Sequence, residues 1–448
     1  MRHLWFDRAL LPHGWAERVR IGIEDGAIAA VEADLDPRPG DERHWTALPG
    51  LGNLHSHGFQ RGMAGLAERR AGGDDFWGWR DLMYRFLDRL TPEDIHAITA
   101  QAYVEMLESG FTRVGEFHYV HHDLDGRRYA DPAETAGAVA AAAADAGIGL
   151  TLLPVFYAHG DFGGAPLGPR QRRFRCDIDG YAQLVEAARA KLPADAELGI
   201  APHSLRAVTP AELERILPLA RGGPVHIHVA EQLREVEACL AWSGSRPVAW
   251  LLDTQPVDSR WCLVHATHMT GDECRRLAAS GAVAGLCPVT EANLGDGVFP
   301  AVDYLSAGGG FGVGSDSNIC IDAAGELRLL EYGQRLVRRR RALLADEGQS
   351  SVGRRLFGGA LEGGARALGV EAGIAPGRPA DLVSLDPAHP ALLDADADTL
   401  LDRWIFAARG PAVDCVWRAG RKLVESGRHR AAADIAARYR RTMAGLLA

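Results

Sequence analysis

From residue 48 onward, short apolar runs alternate with longer segments in which apolar residues recur every three or four positions, the pattern of parallel strands joined by helices. Eight apolar runs stand out: LPGLGNLHSH near residue 50, FTRVGEFHYV near 113, LTLLPVFYA near 152, LGIAPHSL near 200, VHIHVAE near 227, WCLVHATH near 263, AVAGLCPVT near 284 and FGVGSDSN near 313. Eight is the number a (β/α)8 barrel requires, so an α/β barrel of the TIM type is the expected core.

Helical segments separate these runs. In TPEDIHAITAQAYVEMLESG, Thr91 is suited to cap, Pro92 to open the helix, Glu93 and Asp94 to face its positive end and Gly110 to stop it. DIDGYAQLVEAARAKL and TGDECRRLAASG read as two more helices. The alanine-rich stretch AGAVAAAAADAGIGLTLLPVFYA is interrupted by Asp145, Gly147, Gly149 and Pro154, so it reads as a helix and a buried strand rather than a membrane span. The basic run RLVRRRRALL at 335–344 reads as a solvated helix face rather than a nucleic-acid contact.

The ends of the chain follow another pattern. Residues 1–47 carry short alternating segments, with Asp25-Gly26 as a hairpin turn, and a similar pattern returns in ADLVSLDP and AVDCVWRAGRKLVESG. The two ends are expected to pair into a small β-sandwich of residues 1–47 and 376–430 around a barrel of residues 48–375, followed by a C-terminal helix at 431–448.

Composition adds limits. With 448 residues, 47% hydrophobic and 24% charged, the chain is ordinary globular protein. A formal charge of −10 argues against nucleic acid as a partner, although it leaves room for arginines inside a pocket. Seven cysteines with no C-x-x-C pair argue against a disulfide framework and for a reducing, cytoplasmic setting. The opening MRHLWFDRALLPHGW lacks the apolar run of a secretory leader, and no membrane association is expected.

The candidate chemistry gathers at the ends of the predicted strands, where barrels of this class carry their active sites: His55 and His57 on the first, His203 on the fourth, His228 and Glu231 on the fifth, His265 on the sixth and Asp316 on the eighth. In an extended strand residues two apart share a face, so His55 and His57 would converge on one point. With His228 and Asp316 they form a nitrogen- and oxygen-rich set suited to zinc and open to iron or manganese. Such a metal brings the pKa of a bound water to about 7. Glu231 would stand beside it as a proton carrier, and His226, two residues before His228, competes for the ligand place.

The phrases PGLGNLHSH, HIHVAE, VHATH and GSDS resemble the amidohydrolase superfamily over nearly the whole chain. Within it, NLHSHGFQRGMAGLAE, FWGWRDLMYR, GEFHYVHH and APHSLRAV resemble the branch that hydrolyses N-formimino-L-glutamate, the formimidoylglutamate deiminases of histidine degradation. The resemblance implies one zinc per chain held by His55, His57, His228 and Asp316, with Glu231 and His265 as the proton-handling pair in either order and Asp316 close by. The third and fourth runs offer no lysine or glutamate to bridge a second metal. The implied reaction is attack of water on the formimino carbon, loss of ammonia and release of N-formyl-L-glutamate.

A substrate with two carboxylates calls for fixed cations. Arg80 and Arg206, both in matching phrases, are the candidate carboxylate clamps, each set against the alternative of a surface ion pair. Gln60, Tyr119 and His203 complete the pocket by resemblance, with Ser317 a weaker candidate, and His121 and His122 are assigned to a loop over the mouth. A ring deaminase acting on guanine, cytosine or adenosylhomocysteine would share the metal site but want stacking aromatics, which Trp77 and Trp79 could supply. A non-catalytic scaffold would need none of the proton carriers. A homodimer is the default expectation for the assembly.

Overall fold

The computed structural model describes residues 2–68 and 76–448, with side chains from residue 78 onward in the second stretch. Eight strands occupy the eight apolar runs: Leu51–Ser56, Phe111–His118, Gly149–Phe156, the pair Glu197–Leu198 and Ala201–Pro202, Val225–Val229, Trp261–His265, Val283–Leu286 and Gly310–Val313. They pair in parallel as two arcs, the first four runs in one and the last four in the other. The arcs close through parallel bridges between Ile200 and Val225 and between Ser204 and His228 on one side, and between Ser56 and Asp316 on the other. Barrel closure therefore falls on the candidate site itself.

The fourth strand is broken for a local reason. Pro202 has no amide hydrogen, and Gly199 and Ile200 donate theirs to different neighbours, the carbonyls of Leu152 and Pro224, so no continuous ladder forms. Inside the barrel the fully buried Leu54 needs glycines opposite it: a Cβ on Gly285 would lie 2.9 Å from Leu54 Cδ1. Where the eighth strand meets the first, a Cβ on Gly314 would lie 2.7 Å from both the backbone nitrogen and oxygen of His55. Glycine there lets the backbones bearing His55 and Asp316 come together.

Helix boundaries follow the cap residues. Pro92–Ser109 starts from a reciprocal Thr91/Asp94 capping box and stops at left-handed Gly110. Ile178–Lys191 starts at Asp177, and Gly271–Ser280 lies between Thr270 and Gly281. The alanine-rich stretch divides into the helix Glu134–Ala146 and the third barrel strand. The basic run is helical only in part: Ala323–Arg338 ends where Arg339 turns left-handed (φ 53°), so the arginines at 339–341 leave the helix and stand exposed.

The chain ends form one eight-stranded sheet, with Arg2–Leu11, Gly14–Glu24, Ala27–Glu32 and Glu42–Pro49 joined to Leu382–Leu385, Val413–Arg418, Arg421–Glu425 and Arg428–His429. Asp25 and Gly26, both at positive φ, make the expected tight turn. Glu42–Pro49 is the corner, pairing with the first strand through residues 42–47 and then with Leu382–Leu385 through Leu48 and Pro49. That change of partner folds the sheet over a core that includes Leu4, Phe6, Ile21, Leu382 and Trp417. A final helix, Ala432–Leu447, packs on Pro92–Ser109. Among the described residues no helix is long and apolar enough to cross a membrane.

One buried cation fastens the loops above the barrel. The Arg173 guanidinium donates to the carbonyls of Leu87, of Leu90 at 2.9 Å and of His122 at 2.9 Å. It thereby ties the helix Phe76–Leu87, the turn after the second strand and the loop after the third into one rim around the cavity.

Candidate metal centre and substrate cavity

Four donors converge where the first, fifth and eighth strands end. His55 Nε2 lies 3.1 Å from His228 Nε2 and 3.4 Å from Asp316 Oδ1, and His57 Nε2 lies 3.3 Å from the same oxygen. A tetrahedral ion with bonds of about 2.0–2.1 Å sets its ligand atoms roughly 3.3 Å apart, so this cluster has the dimensions of a metal cradle. All four residues are buried, and one donor atom from each lies within 4.8 Å of the others.

Tautomers support the same reading. His57 Nδ1 donates to the Phe117 carbonyl at 2.9 Å and His228 Nδ1 to the His203 carbonyl at 3.0 Å, which leaves both Nε2 lone pairs directed at the cluster. Burial lowers all three imidazoles, His55 to about 3 and His228 well below its usual value, so they stay neutral. Burial by itself would raise the Asp316 carboxyl; His55 at hydrogen-bond distance, with His57 and His265 nearby, outweighs it and holds Asp316 well below the usual carboxylate range. Neutral imidazoles with one carboxylate are the forms that bind a divalent cation. His226 does not join them: its Nε2 donates to the Ala367 carbonyl at 2.7 Å, in a lower layer of the barrel.

Backbone geometry holds the set in place. The His57 amide donates to the Asp316 carbonyl and the Asp316 amide to the His55 carbonyl, each at 2.9 Å. His265 (φ 66°) and Asp316 (φ 43°) both sit in the left-handed region, a cost that the surrounding strands impose at this end of the barrel.

Asp316 faces two ways. Its Oδ1 meets the histidines, while Oδ2 lies 3.9 Å from His265 Nε2, which is itself 3.8 Å from Glu231 Oε1. On its other side His265 Nδ1 lies 3.3 Å from Glu291 Oε1. Burial pushes the Glu231 carboxyl up, whereas the carboxylates around His265 outweigh burial and raise that imidazole. An acid and a base thus face each other beside the metal cradle.

Above them opens a cavity continuous with solvent at its mouth. Of the residues expected to bind substrate, Gln60, Arg80, Tyr119, His203 and Arg206 line it together with His57, His228, Glu231, His265 and Asp316. Gln60 Nε2 donates to the Tyr119 hydroxyl at 2.7 Å, while Gln60 Oε1 is buried without a partner among the described residues. Arg206 Nε is likewise buried and unpartnered, and Arg80 Nε donates to the Tyr84 hydroxyl at 2.8 Å. His203 is kept neutral, first by burial and then by the neighbouring Arg206 charge.

Ser317 is not brought to the cavity. Its hydroxyl lies 3.0 Å from Thr290 Oγ1, so it fastens the eighth strand end to the helix Pro288–Leu294 after the seventh instead. His121 and His122 donate to the carbonyls of Val155 and Arg175 and take no part in the metal cluster. Trp79 lines the cavity, whereas the side chain of Trp77 lies outside the described residues.

Several lining residues were not anticipated from the sequence: Met83, Tyr84, Tyr157, Phe174 and Leu294. Tyr157 carried a signal, since it follows the third strand directly. Phe174 carried none, because it reaches the cavity from a long loop held by Arg173.

Comparison with known proteins agrees with this architecture. The model of the amidohydrolase family matches residues 46–423, and the model described as formimidoylglutamate deiminase HutF, N-terminal domain, matches residues 1–45. The chain is 52% identical over 434 residues to formimidoylglutamate deiminase of Pseudomonas aeruginosa, covering 96% of each chain. It is 28% identical over 409 residues to 5-methylthioadenosine/S-adenosylhomocysteine deaminase of Natronomonas pharaonis, covering 90% of this chain and 87% of that one. Among solved structures, an amidohydrolase from Brucella melitensis superimposes with a TM-score of 0.97 at 54% identity over 100% of both chains. A zinc-bound adenosine deaminase from Xanthomonas campestris shares the fold, with a TM-score of 0.80 at 24% identity over 99% of this chain and 98% of that one. The family model spans the barrel and most of the terminal sheet, and the chain belongs to the amidohydrolase family.

Proposed function

We propose that this protein is a formimidoylglutamate deiminase, which hydrolyses N-formimino-L-glutamate to N-formyl-L-glutamate and ammonia in histidine degradation. The observation that carries the reading is that two guanidinium groups, Arg80 and Arg206, share a cavity wall with the metal cradle. A linear amidine with two carboxylates uses both cations, whereas a neutral purine or pyrimidine uses neither. The strong likeness to a deiminase of that name supports the same substrate.

In this reading His55, His57, His228 and Asp316 hold one Zn2+ per chain, and the same donors would accept Fe2+ or Mn2+. When bound, the metal supplies Lewis-acid activation of water at neutral pH. Arg80 and Arg206 grip the substrate carboxylates and set the formimino carbon above the donors. Gln60, held by Tyr119, presents its free amide oxygen to a substrate N–H. Glu231 and His265 form the proton-handling pair: one takes a proton as water adds to the carbon, and the other delivers one to the departing nitrogen. Asp316 Oδ2 steadies the charge on His265.

The protein is expected to work as a cytoplasmic homodimer. Its cysteines, six of them buried, form no disulfide among the described residues, which suits a reducing compartment.

Aromatic residues on the cavity wall, Trp79, Tyr157 and Phe174, are the feature that favours a ring substrate. Ammonia release from N-formimino-L-glutamate, guanine, cytosine and S-adenosylhomocysteine separates the readings. Turnover of the first alone is expected, and turnover confined to a ring compound would overturn the assignment.

A further inference from the structure

We infer that Glu291 is a positioning residue for the reaction, fixing the tautomer and orientation of His265 so that Nε2 is the nitrogen presented to the reacting groups. This rests on the functional reading above, in which His265 is one of the two proton carriers.

Glu291 lies behind the site rather than in it. It is 4% exposed and does not line the cavity. It belongs to the short helix Pro288–Leu294 that follows the seventh strand, and the Cys287 amide donates to its Oε1 at 2.9 Å. That bond fixes the carboxylate before it meets the histidine. The same oxygen lies 3.3 Å from His265 Nδ1. A carboxylate can only accept, so the contact keeps a proton on Nδ1 and leaves Nε2 as the nitrogen that exchanges one. Nε2 then faces inward, 3.8 Å from Glu231 Oε1 and 3.9 Å from Asp316 Oδ2, as the nitrogen at which a proton is gained or given up.

The position of His265 makes such an anchor necessary. Its backbone is left-handed and its side chain is 1% exposed, so water cannot serve as an alternative partner for Nδ1. Without Glu291, the other tautomer would satisfy itself by donating from Nε2 to Glu231 or Asp316. That tautomer has no inward-facing acceptor for a proton. A carboxylate that holds a histidine in its working tautomer without touching substrate is a recurrent arrangement in hydrolases, and outer partners of site histidines commonly carry factors of about 10- to 100-fold.

The test is a double-substitution cycle followed by steady-state ammonia release on metal-loaded protein. Glu291→Gln keeps an oxygen for the Cys287 amide and is expected to lower kcat about 10-fold; Glu291→Leu removes the acceptor and is expected to lower it about 100-fold. KM and bound metal should stay within about threefold, because the residue touches neither substrate nor ligands. In a His265→Ala background the same Glu291 substitutions should change kcat by less than about threefold, since the group they act through is gone. Equal losses in both backgrounds, or an unchanged kcat in Glu291→Leu, would overturn the role of Glu291. If Glu291→Leu does not fold, the Gln variant in the two backgrounds decides by the same criterion. Failure of the unmodified protein to turn over N-formimino-L-glutamate would overturn the functional reading and this role with it, whereas turnover with additive losses overturns only the role.

Discussion

Replacing Arg206 by methionine keeps an unbranched apolar stem and removes the charged fork from the cavity wall. Arg206 is half-buried, its Nε has no partner among the described residues, and it shares the cavity with Arg80. In the complex the substituted protein would leave one substrate carboxylate desolvated and facing a thioether. Truncating one side of a buried, hydrogen-bonded charge pair costs about 2–5 kcal/mol, and the partly open mouth argues for the lower part of that range, about 2–4 kcal/mol. At about 1.4 kcal/mol per tenfold, kcat/KM for N-formimino-L-glutamate should fall roughly 30- to 1,000-fold, mostly through KM. The assay is ammonia release with metal content measured on the same sample. Two substrates that each lack one carboxylate sharpen the result: the one missing the group bound by Arg206 should be turned over nearly as well by the variant as by the unmodified protein. A variant whose kcat/KM stays within threefold, with full metal, would refute the assignment of Arg206 as a carboxylate clamp.

Two further outcomes follow from the packing and the electrostatics. Gly314→Ala puts a methyl 2.7 Å from the His55 backbone, so the first strand must move, and the variant should bind zinc at least about tenfold more weakly in competition with a chelator; unchanged affinity would contradict the closure argument. In the small sheet, burial alone would raise the Glu42 carboxyl, but hydrogen bonds from Lys422, Arg2 and His44 outweigh it and hold it at about 2. A carboxyl depressed on folding adds stability above its unfolded pKa of about 4.3, and that stability is lost as pH falls toward 2. Lys422→Met should therefore lower the thermal midpoint at pH 6, with the gap to the unmodified protein narrowing by pH 3; a gap that does not change with pH would contradict this.

Much of the site could be read in the sequence because barrel strands carry their chemistry at one end. His55 and His57 can be paired from strand periodicity alone, and His228 lies nearer the strand end than His226, where its Nε2 meets His55 at 3.1 Å. Residues whose role depends on the path of a loop gave no such signal. Phe174 enters the cavity only because Arg173 is anchored to three distant carbonyls, and Ser317 turns to Thr290 although it follows a metal-cradle residue. The basic run misled in another way: arginine favours helix, and nothing local marks the stop at Arg338, so the break at left-handed Arg339 was not foreseen.

Identification of both products made from N-formimino-L-glutamate by zinc-loaded protein tests the central claim most directly. Water adding at the formimino carbon with the terminal nitrogen leaving gives N-formyl-L-glutamate and ammonia in equal amounts, and chelation should abolish both until zinc is restored. Glutamate and formamide in their place would mean that the other C–N bond breaks, and the arrangement of Glu231, His265 and the arginine clamps described above would be wrong.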